Sequence, residues 1–295
     1  MTIDLAPFQI SKRGKVDLTE HPTNIAPLYT SKDDYRDQLA EHVAQLARLQ
    51  DRFYAQARHA ILVIFQAMDA AGKDGAIKHV MSGVNPQGCQ VFSFKHPGPE
   101  ELEHDFLWRC AKDLPERGKI GIFNRSYYEE VLIARVHPEI LHQEERIDPE
   151  LDLETVFKGR YRSIRHFEKH LHRNGTTVVK IYLHLSMEEQ RRRFLARIDE
   201  PAKNWKFSLA DMRERRFWPR YMDAYERALG ATSSSAAPWN VVPADDKQNA
   251  RLLVSQIVLD AMSALHPTTP APSPELLAEL KAFRAELAPS GAGLS

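Results

Sequence analysis

The sequence is short of cysteine, of net charge and of long apolar runs, and each shortage excludes a class of protein. Its 295 residues include two cysteines, too few for a disulfide framework or a four-thiolate metal site. Forty Lys and Arg balance forty Asp and Glu, which excludes a generally basic nucleic-acid binder. The longest clean apolar run, Ala60 to Phe65, is far shorter than the roughly 20 residues that cross a bilayer.

Several motifs are also missing. Thirteen histidines include no H-E-x-x-H pair, and the chain has no G-x-S-x-G nucleophile motif. The N-terminal segment, MTIDLAPFQISKRGK, lacks the apolar core of a signal peptide. We therefore predict a cytoplasmic protein that binds neither membrane nor nucleic acid.

What the sequence does contain is a regular alternation of short apolar runs with helix-length segments. This alternation predicts an α/β fold with βαβ units, a five-stranded parallel sheet and helices on both faces. Ser31 is the predicted N-cap of a long helix over 32–57, whose apolar face is a candidate contact with a partner chain. The predicted strands are 60–65, 90–94, 119–123, 177–185 and 239–243.

Changes in composition divide the chain into three parts. Residues 1–30 carry three prolines and no sustained period, which predicts an extended N-terminal arm. Residues 31–265 hold the alternating pattern and form the predicted catalytic domain. Residues 266–295 begin with a proline-rich linker and form a tail with one short predicted helix.

The segment QAMDAAGKDGAIKHV, residues 66–80, follows the first strand and opens a helix, as a phosphate-binding P-loop does. In such a loop, backbone N–H groups and the helix N-terminus face the phosphate oxygens. Gly72 and Gly75 allow close approach, and Lys73 supplies a positive charge to the transferred phosphoryl group. The match is imperfect, because an alanine replaces the first glycine and Asp74 replaces the usual Ser or Thr. The alternative is a plain polar turn.

Asp69 lies inside this loop, four residues before Lys73. A carboxylate beside bound phosphates is repelled unless a cation lies between them. We therefore predict that Asp69 binds or orients a magnesium ion. The alternative is an aspartate that hydrogen-bonds within its own turn.

The third predicted strand ends in FNRSYYEE, residues 123–130, where a Walker B acid is expected. Asn124 occupies the position of that acid, and Glu129 is the candidate that restores a carboxylate near the metal. Arg125 has a rigid fork of donors that suits phosphate. The alternative for Arg125 is a structural ion pair with a following glutamate.

The segment from Arg191 to Arg220 contains ten Lys or Arg against four acids, in a chain with no net charge. Arg193 and Arg197 are four residues apart and share a helix face. Pro201 breaks that helix before a second basic one begins. This arrangement predicts a lid over 191–220 that closes on phosphates, with a solvated charged face as the alternative.

Together, these motifs resemble the polyphosphate kinase 2 family over roughly residues 10–265. The family's Walker B signature commonly begins Asp-Arg-Ser-Trp-Tyr, whereas NRSYYEE at 124–130 looks like its class III subgroup. The motifs that carry the resemblance are MDAAGKDGAIKHV (68–80), NPQGCQVFSFKHP (85–97), HDFLWR (104–109), IFNRSYYEEVLIARVHPE (122–139), RIDEPAKNWKFS (197–208) and APWNVVPADDKQNAR (237–251).

The resemblance implies a P-loop kinase-like three-layer α/β/α core with a helical lid. It implies reversible transfer of phosphoryl groups between inorganic polyphosphate and nucleoside mono- and diphosphates, with Mg²⁺ (alternatively Mn²⁺) as cofactor and a homodimer or homotetramer as the assembly. The implied catalytic residues are Asp69, Lys73 and Arg125. The implied phosphate-binding residues are Gly72, Lys73, Asp74, Gly75, Arg125, Arg193 and Arg197, and the implied metal ligands are Asp69, Asn124 and Glu129.

Two other functions stay open on the sequence. An ATP-dependent nucleoside monophosphate kinase, similar to thymidylate kinase, has a comparable loop and lid but does not need so long a basic segment. A non-catalytic P-loop nucleotide-binding protein has no transition-state charge to stabilise, so Lys73, Arg125 and the basic lid argue against it.

Overall fold

The computed structural model describes residues 3–143, 147–148 and 150–288 and contains one mixed sheet. Its strand order is β1-β6-β5-β2-β4-β3, with parallel pairing throughout except between β1 and β6. The strands are β1 (Gln9–Ile10), β2 (Ala60–Ala67), β3 (Cys89–Ser93), β4 (Ile120–Asn124), β5 (Thr176–His184) and β6 (Trp239–Pro243).

The five predicted parallel strands are confirmed, and a sixth strand was missed. That strand, β1, pairs Gln9 and Ile10 with Asn240 and Trp239 at the edge of the sheet. Two residues are too few to show an alternating pattern, which is why β1 leaves no signal in the sequence. It belongs to the predicted arm, whose residues Ile3 and Leu5 pack into the core.

Helices cover both faces of the sheet, which confirms the three-layer α/β/α architecture. Alternate residues of β2 reach opposite layers, as the two-residue period of a strand requires. The α-helices are α1 (Lys32–Gln56), α2 (Lys73–Val80), α3 (Pro99–Leu102), α4 (Trp108–Ala111), α5 (Glu129–Val136), α6 (Glu139–Gln143), α7 (Leu153–Arg173), α8 (Met187–Asp199), α9 (Leu209–Glu214), α10 (Trp218–Thr232), α11 (Lys247–Ser263) and α12 (Pro274–Leu287). Ile61 and Val63 pack with α1, α2 and α11, whereas Leu62 and Ile64 pack with α5, α7 and α10.

The long helix α1 begins where its cap residue predicts. The Ser31 side chain accepts a hydrogen bond from the N–H of Asp34. The apolar face of α1, however, is not available to a partner chain, contrary to expectation. Leu39, Leu46 and Phe53 are buried in the layer shared with α11, so the periodicity reflects packing within this chain.

The predicted lid has the expected arrangement of helix, break and helix. Helix α8 is followed by a 3-10 turn over Pro201–Lys206 and then by α9. The segment SMEE, residues 186–189, is a capping box that predicts a helix start, and the Ser186 side chain caps α8 by accepting a hydrogen bond from the N–H of Glu189. Among the described residues, no helix is long and apolar enough to cross a membrane.

Candidate active site

The candidate site begins at the β2–α2 loop, residues 68–72, at the carboxyl end of the central strand β2. Two loop residues have left-handed backbone, with φ at 63° for Ala70 and 105° for Gly72. Gly72 adopts this conformation freely, whereas Ala70 does so at a steric cost. The first N–H groups of α2, including that of Gly75, have no partner inside the helix, which is the arrangement that binds anions at other helix N-termini. The loop therefore follows a strand and opens a helix, as its sequence predicts, and phosphate binding by it stays a prediction.

Lys73, the first residue of α2, turns back onto this loop. Its Nζ donates to the carbonyl of Ala67 at 2.9 Å and lies 3.4 Å from that of Met68. Burial, and after it the positive charge of Arg125, lower the pKa of Lys73. A phosphate oxygen could replace these neutral carbonyls as the acceptor, and its negative charge would favour the protonated amine.

Arg125 lies between the two predicted acidic ligands. Its Nη2 is 2.8 Å from Asp69 and its Nη1 is 3.5 Å from Glu129. The Glu129 carboxylate, and after it that of Asp69, raise the pKa of Arg125. The parallel register of β2 and β4 places Arg125 here, since its N–H donates to the carbonyl of Phe65 at 3.0 Å. Arg125 therefore forms the ion pairs that the alternative interpretation predicts. Its position would also allow contact with a phosphate.

Asn124 and Asp74 meet across the same edge. The side-chain amide of Asn124 donates to the Asp74 carboxylate at 2.6 Å. Asp74 is the second residue of α2, so this bond joins the end of β4 to the first turn of that helix. The Asn124 side chain therefore contacts a carboxylate of the predicted phosphate-binding segment.

The donor atoms at this edge suit a hard divalent cation. Asp69, Asn124 and Glu129 offer oxygen, and Mg²⁺ commonly takes one or two carboxylates together with substrate phosphates and water. No group of three His, Cys, Asp or Glu with metal-binding geometry is found in the part of the chain that the structure describes. Asp69 fits the role best, because it lies inside the β2–α2 loop and its side chain is 23% exposed.

Arg193 occupies a different position from the one expected of a phosphate ligand. Its side chain is 6% exposed, and each of its five N–H groups has a protein acceptor. No donor is left over in this conformation, so the predicted contact of Arg193 with phosphate would require it to give up one of these acceptors. The acceptors are Glu189 Oε1 at 2.8 Å, the carbonyls of Ala70 and Ala71 at 3.0 and 2.7 Å, and those of Ala244 and Asp245 at 2.6 and 3.1 Å.

Arg197 lies one turn further along α8 and also donates hydrogen bonds to other residues of the protein. Its Nη1 donates to the Lys206 carbonyl at 3.2 Å and to Asp211 at 3.3 Å. These bonds connect α8 with the 3-10 turn and with α9. The side chain keeps 19% of its surface exposed, so a phosphate could compete with Asp211 for it.

Two residues near the site were not singled out from the sequence. Gln190 donates from Nε2 to the Asp69 carbonyl at 3.0 Å. The cap at Ser186 fixes where α8 begins, and Gln190, three residues before Arg193, lies on the same helix face. Gln190 could therefore have been predicted from the sequence. Asp211 lies on α9, where burial and the nearby Asp69 raise its pKa. Nothing in the sequence links Asp211 to Asp69, since only folding of the lid brings them together.

Comparison with known proteins identifies similar chains of nearly the same length. The sequence model of the family described as Polyphosphate kinase 2 (PPK2) matches residues 29–270. An ADP-polyphosphate phosphotransferase from Rhodopseudomonas palustris is 58% identical over 97% of this chain and 99% of its own. An AMP/ADP-polyphosphate phosphotransferase from Meiothermus ruber is 40% identical over 90% of this chain and 95% of its own. The crystal structure of polyphosphate kinase 2 from Arthrobacter aurescens has a TM-score of 0.85 at 39% identity, and the match covers 97% of this chain and 99% of its own.

Proposed function

Because the chain belongs to the polyphosphate kinase 2 family, we propose that it transfers phosphoryl groups from inorganic polyphosphate to nucleoside di- and monophosphates. The observation that carries the proposal is the meeting of Lys73 and Arg125 at one edge of the sheet, beside a loop that presents N–H groups. Relatives named for this reaction cover almost the whole chain. The reaction exchanges one phosphoanhydride for another, so we expect it to be reversible.

The chemistry requires alignment and charge neutralisation more than proton transfer. Phosphoryl transfer passes through a loose transition state, which positioned cations stabilise. The acceptor phosphate has a second pKa of about 6, so it is largely ionised at neutral pH and needs no general base. Lys73 and Arg125 bind the phosphate oxygens in this proposal, while the N–H groups of the β2–α2 loop orient them.

A divalent cation, Mg²⁺ or Mn²⁺, neutralises charge between neighbouring phosphates when it is bound. Asp69 is the residue that would hold it, together with the substrates' own oxygens. The Arg125 guanidinium now contacts Asp69 at 2.8 Å. Binding of phosphate by Arg125 would free that carboxylate for the cation.

The experiment that tests the proposal is an assay for ATP formed from ADP and long-chain polyphosphate with no ATP added. Product formation supports the proposal. An ATP-dependent nucleoside monophosphate kinase makes no use of polyphosphate, so any ATP that it forms from two ADP would appear equally in a control without polyphosphate. A non-catalytic nucleotide-binding protein would give no turnover with either donor.

The class III resemblance adds AMP as an acceptor, and the relatives' names differ on this point. The 58% identical relative is named for ADP, and the 40% identical one for AMP and ADP. A time course from AMP, with an adenylate kinase inhibitor present, should show ADP rising and falling while ATP accumulates. Absence of any product from AMP would restrict the acceptor to ADP.

Self-association, as a homodimer or homotetramer, also remains a proposal, as does a cytoplasmic location. Helix α12 supports self-association, because all of its residues are exposed and its apolar side chains repeat at spacings of four, three and four. In a parallel, in-register pair, Glu279 would face Arg284 of the partner subunit, whereas an antiparallel pair would bring glutamates together. The residues of this repeat are Leu276 (45% exposed), Leu280 (51%), Phe283 (56%) and Leu287 (84%), and Leu277 (44%) lies beside it.

Light scattering on the full chain tests this assembly. Leu280→Asp should reduce the molar mass in solution, while Lys281→Asp, on the outer face of the same helix, should not. Leu276→Cys should form a disulfide with the same residue of a second copy only if the helices run parallel. A monomeric parent chain would overturn the assembly without affecting the proposed reaction.

A further inference from the structure

The carbonyls of the β2–α2 loop face the lid. Those of Ala70 and Ala71 accept from Arg193, and that of Asp69 accepts from Gln190, both on α8. In a planar trans peptide the N–H points opposite to the C=O. Three consecutive carbonyls turned towards α8 therefore turn the N–H groups of residues 70–72 away from it. Of these, the N–H of Ala71 already donates to the Met68 carbonyl at 3.3 Å, so those of Ala70 and Gly72 are the groups that the loop can offer to phosphate.

This loop conformation is one that the local sequence does not favour. Ala70 has φ at 63°, which places its side chain too close to its own backbone. Such a residue persists only where its surroundings hold it. Arg193 supplies that constraint directly, because one of its bonds is to the carbonyl of Ala70 itself.

We infer that Arg193 is a positioning residue, which fixes the phosphate-binding loop to the base of the lid and does not bind polyphosphate itself. The inference rests on the proposed function, since it concerns how the site of that transfer is held in place. The same guanidinium bonds the carbonyls of Ala244 and Asp245 after β6. Arg193 therefore joins three segments that are distant in sequence, and any lid movement has to begin beyond it on α8.

The variant Arg193→Lys distinguishes a residue that positions the loop from one that binds polyphosphate. Lysine keeps the positive charge and still serves a phosphate, but its single ammonium cannot reproduce a fork that contacts five acceptors. We expect kcat to fall about 100-fold with AMP and ADP alike, because a displaced loop misaligns the reacting groups. The KM for polyphosphate and its salt dependence should stay near those of the parent. Arg192→Lys is the matched control, since Arg192 is 63% exposed on the same helix and pairs with Glu189.

Amide hydrogen exchange provides a readout that does not depend on activity. Residues 69–75 should exchange faster in Arg193→Lys than in the parent or in Arg192→Lys. Gln190→Met, which removes the bond to Asp69, should have a weaker effect in the same direction and serves if Arg193→Lys does not fold. A parent without transfer activity would overturn the proposed function, but these exchange rates would still decide the role of Arg193.

Ala70→Gly tests the mechanism of positioning. Glycine adopts a positive φ without steric cost, so the loop would depend less on Arg193. The double variant Ala70→Gly/Arg193→Lys should regain part of the kcat lost in Arg193→Lys. Unchanged exchange at 69–75 in both Arg193→Lys and Gln190→Met would overturn the inference. So would a loss confined to the polyphosphate KM, with a shallower salt dependence, since that is the signature of a phosphate ligand.

Discussion

Burial lowers the pKa of both Lys73 and Lys180, yet the two lysines lie in regions built for different purposes. Lys73 lies at the open edge of the sheet with two neutral carbonyls as partners. Lys180 is 0% exposed on β5 and donates to Glu168, to Tyr128 and to the Thr232 carbonyl at 2.8, 3.2 and 2.9 Å. The partners of the first lysine are neutral and could be replaced by an anion, as we propose, whereas the second is paired with a buried carboxylate.

The segment 123–130 connects these two regions. Arg125 and Glu129 face the open edge, where their side chains are 38% and 15% exposed. Tyr127 and Tyr128 are fully buried and donate to Glu168 at 3.1 and 2.7 Å. One short stretch thus supplies charged groups to the candidate site and hydroxyl groups to a closed network. The difference teaches that solvent access and neutral partners, more than residue type, separate a lysine that is a candidate for phosphate binding from a structural one.

The largest effect should come from opening the closed network. Lys180→Met leaves the Glu168 carboxylate buried without its ion pair, and breaking such a pair costs about 3–5 kcal/mol of stability. We expect the free energy of unfolding in urea to fall by about that amount. Adding Glu168→Gln removes the unpaired charge and should restore part of the lost free energy of unfolding. An unchanged urea midpoint in Lys180→Met would mean that the two regions are not distinguished in this way.

Lys73→Met makes the same chemical change at the open edge and should have the opposite signature. Loss of a cation from the transferred phosphoryl group should reduce kcat about 100- to 1,000-fold. The urea midpoint should stay close to that of the parent, because the carbonyls of Ala67 and Met68 lose only one donor. The measurement pairs a polyphosphate-dependent assay with denaturation. A folded variant that keeps most of its activity would remove Lys73 from the site.

Asp69→Asn sharpens the comparison inside the open region, since Asp69 is both a partner of Arg125 and the candidate cation ligand. Its loss should raise the half-saturating Mg²⁺ concentration by at least about tenfold, a loss typical even of residues that only support a metal ligand. The readout is initial rate against Mg²⁺ concentration at fixed substrates. If only the maximal rate falls and the titration does not move, Asp69 acts through Arg125 alone.

The smallest effect is expected at the lid. Arg197→Met should raise the KM for long-chain polyphosphate several-fold more than that for ADP. It should also reduce the salt slope of polyphosphate binding by about 0.7–0.9, if one phosphate contact is lost as in nucleic acids. Arg191→Met is the control, since Arg191 is 53% exposed and pairs with Glu188. Equal changes for both substrates would indicate that Arg197 only holds α9 through Asp211.

The sequence by itself determined the elements whose signals are local. Strand periods, the caps at Ser31 and Ser186, and the loop residues around Gly72 act over a few residues, and each appears where it was predicted. The parallel sheet follows from the same local pattern, because buried strands separated by helices leave few ways to pair. The edge of the sheet that carries Lys73 and Arg125 could therefore be predicted.

Only the tertiary structure decided which charged residues face that edge. Arg193 and Arg197 look equivalent in sequence, yet Arg193 is enclosed by two loops and Arg197 keeps access to solvent. Lys180 gave no signal of its ion pair, since Glu168 lies on another element. A guanidinium or ammonium group binds whichever acceptor folding brings near it, and that acceptor is set by contacts between segments far apart in the chain, which no local pattern records.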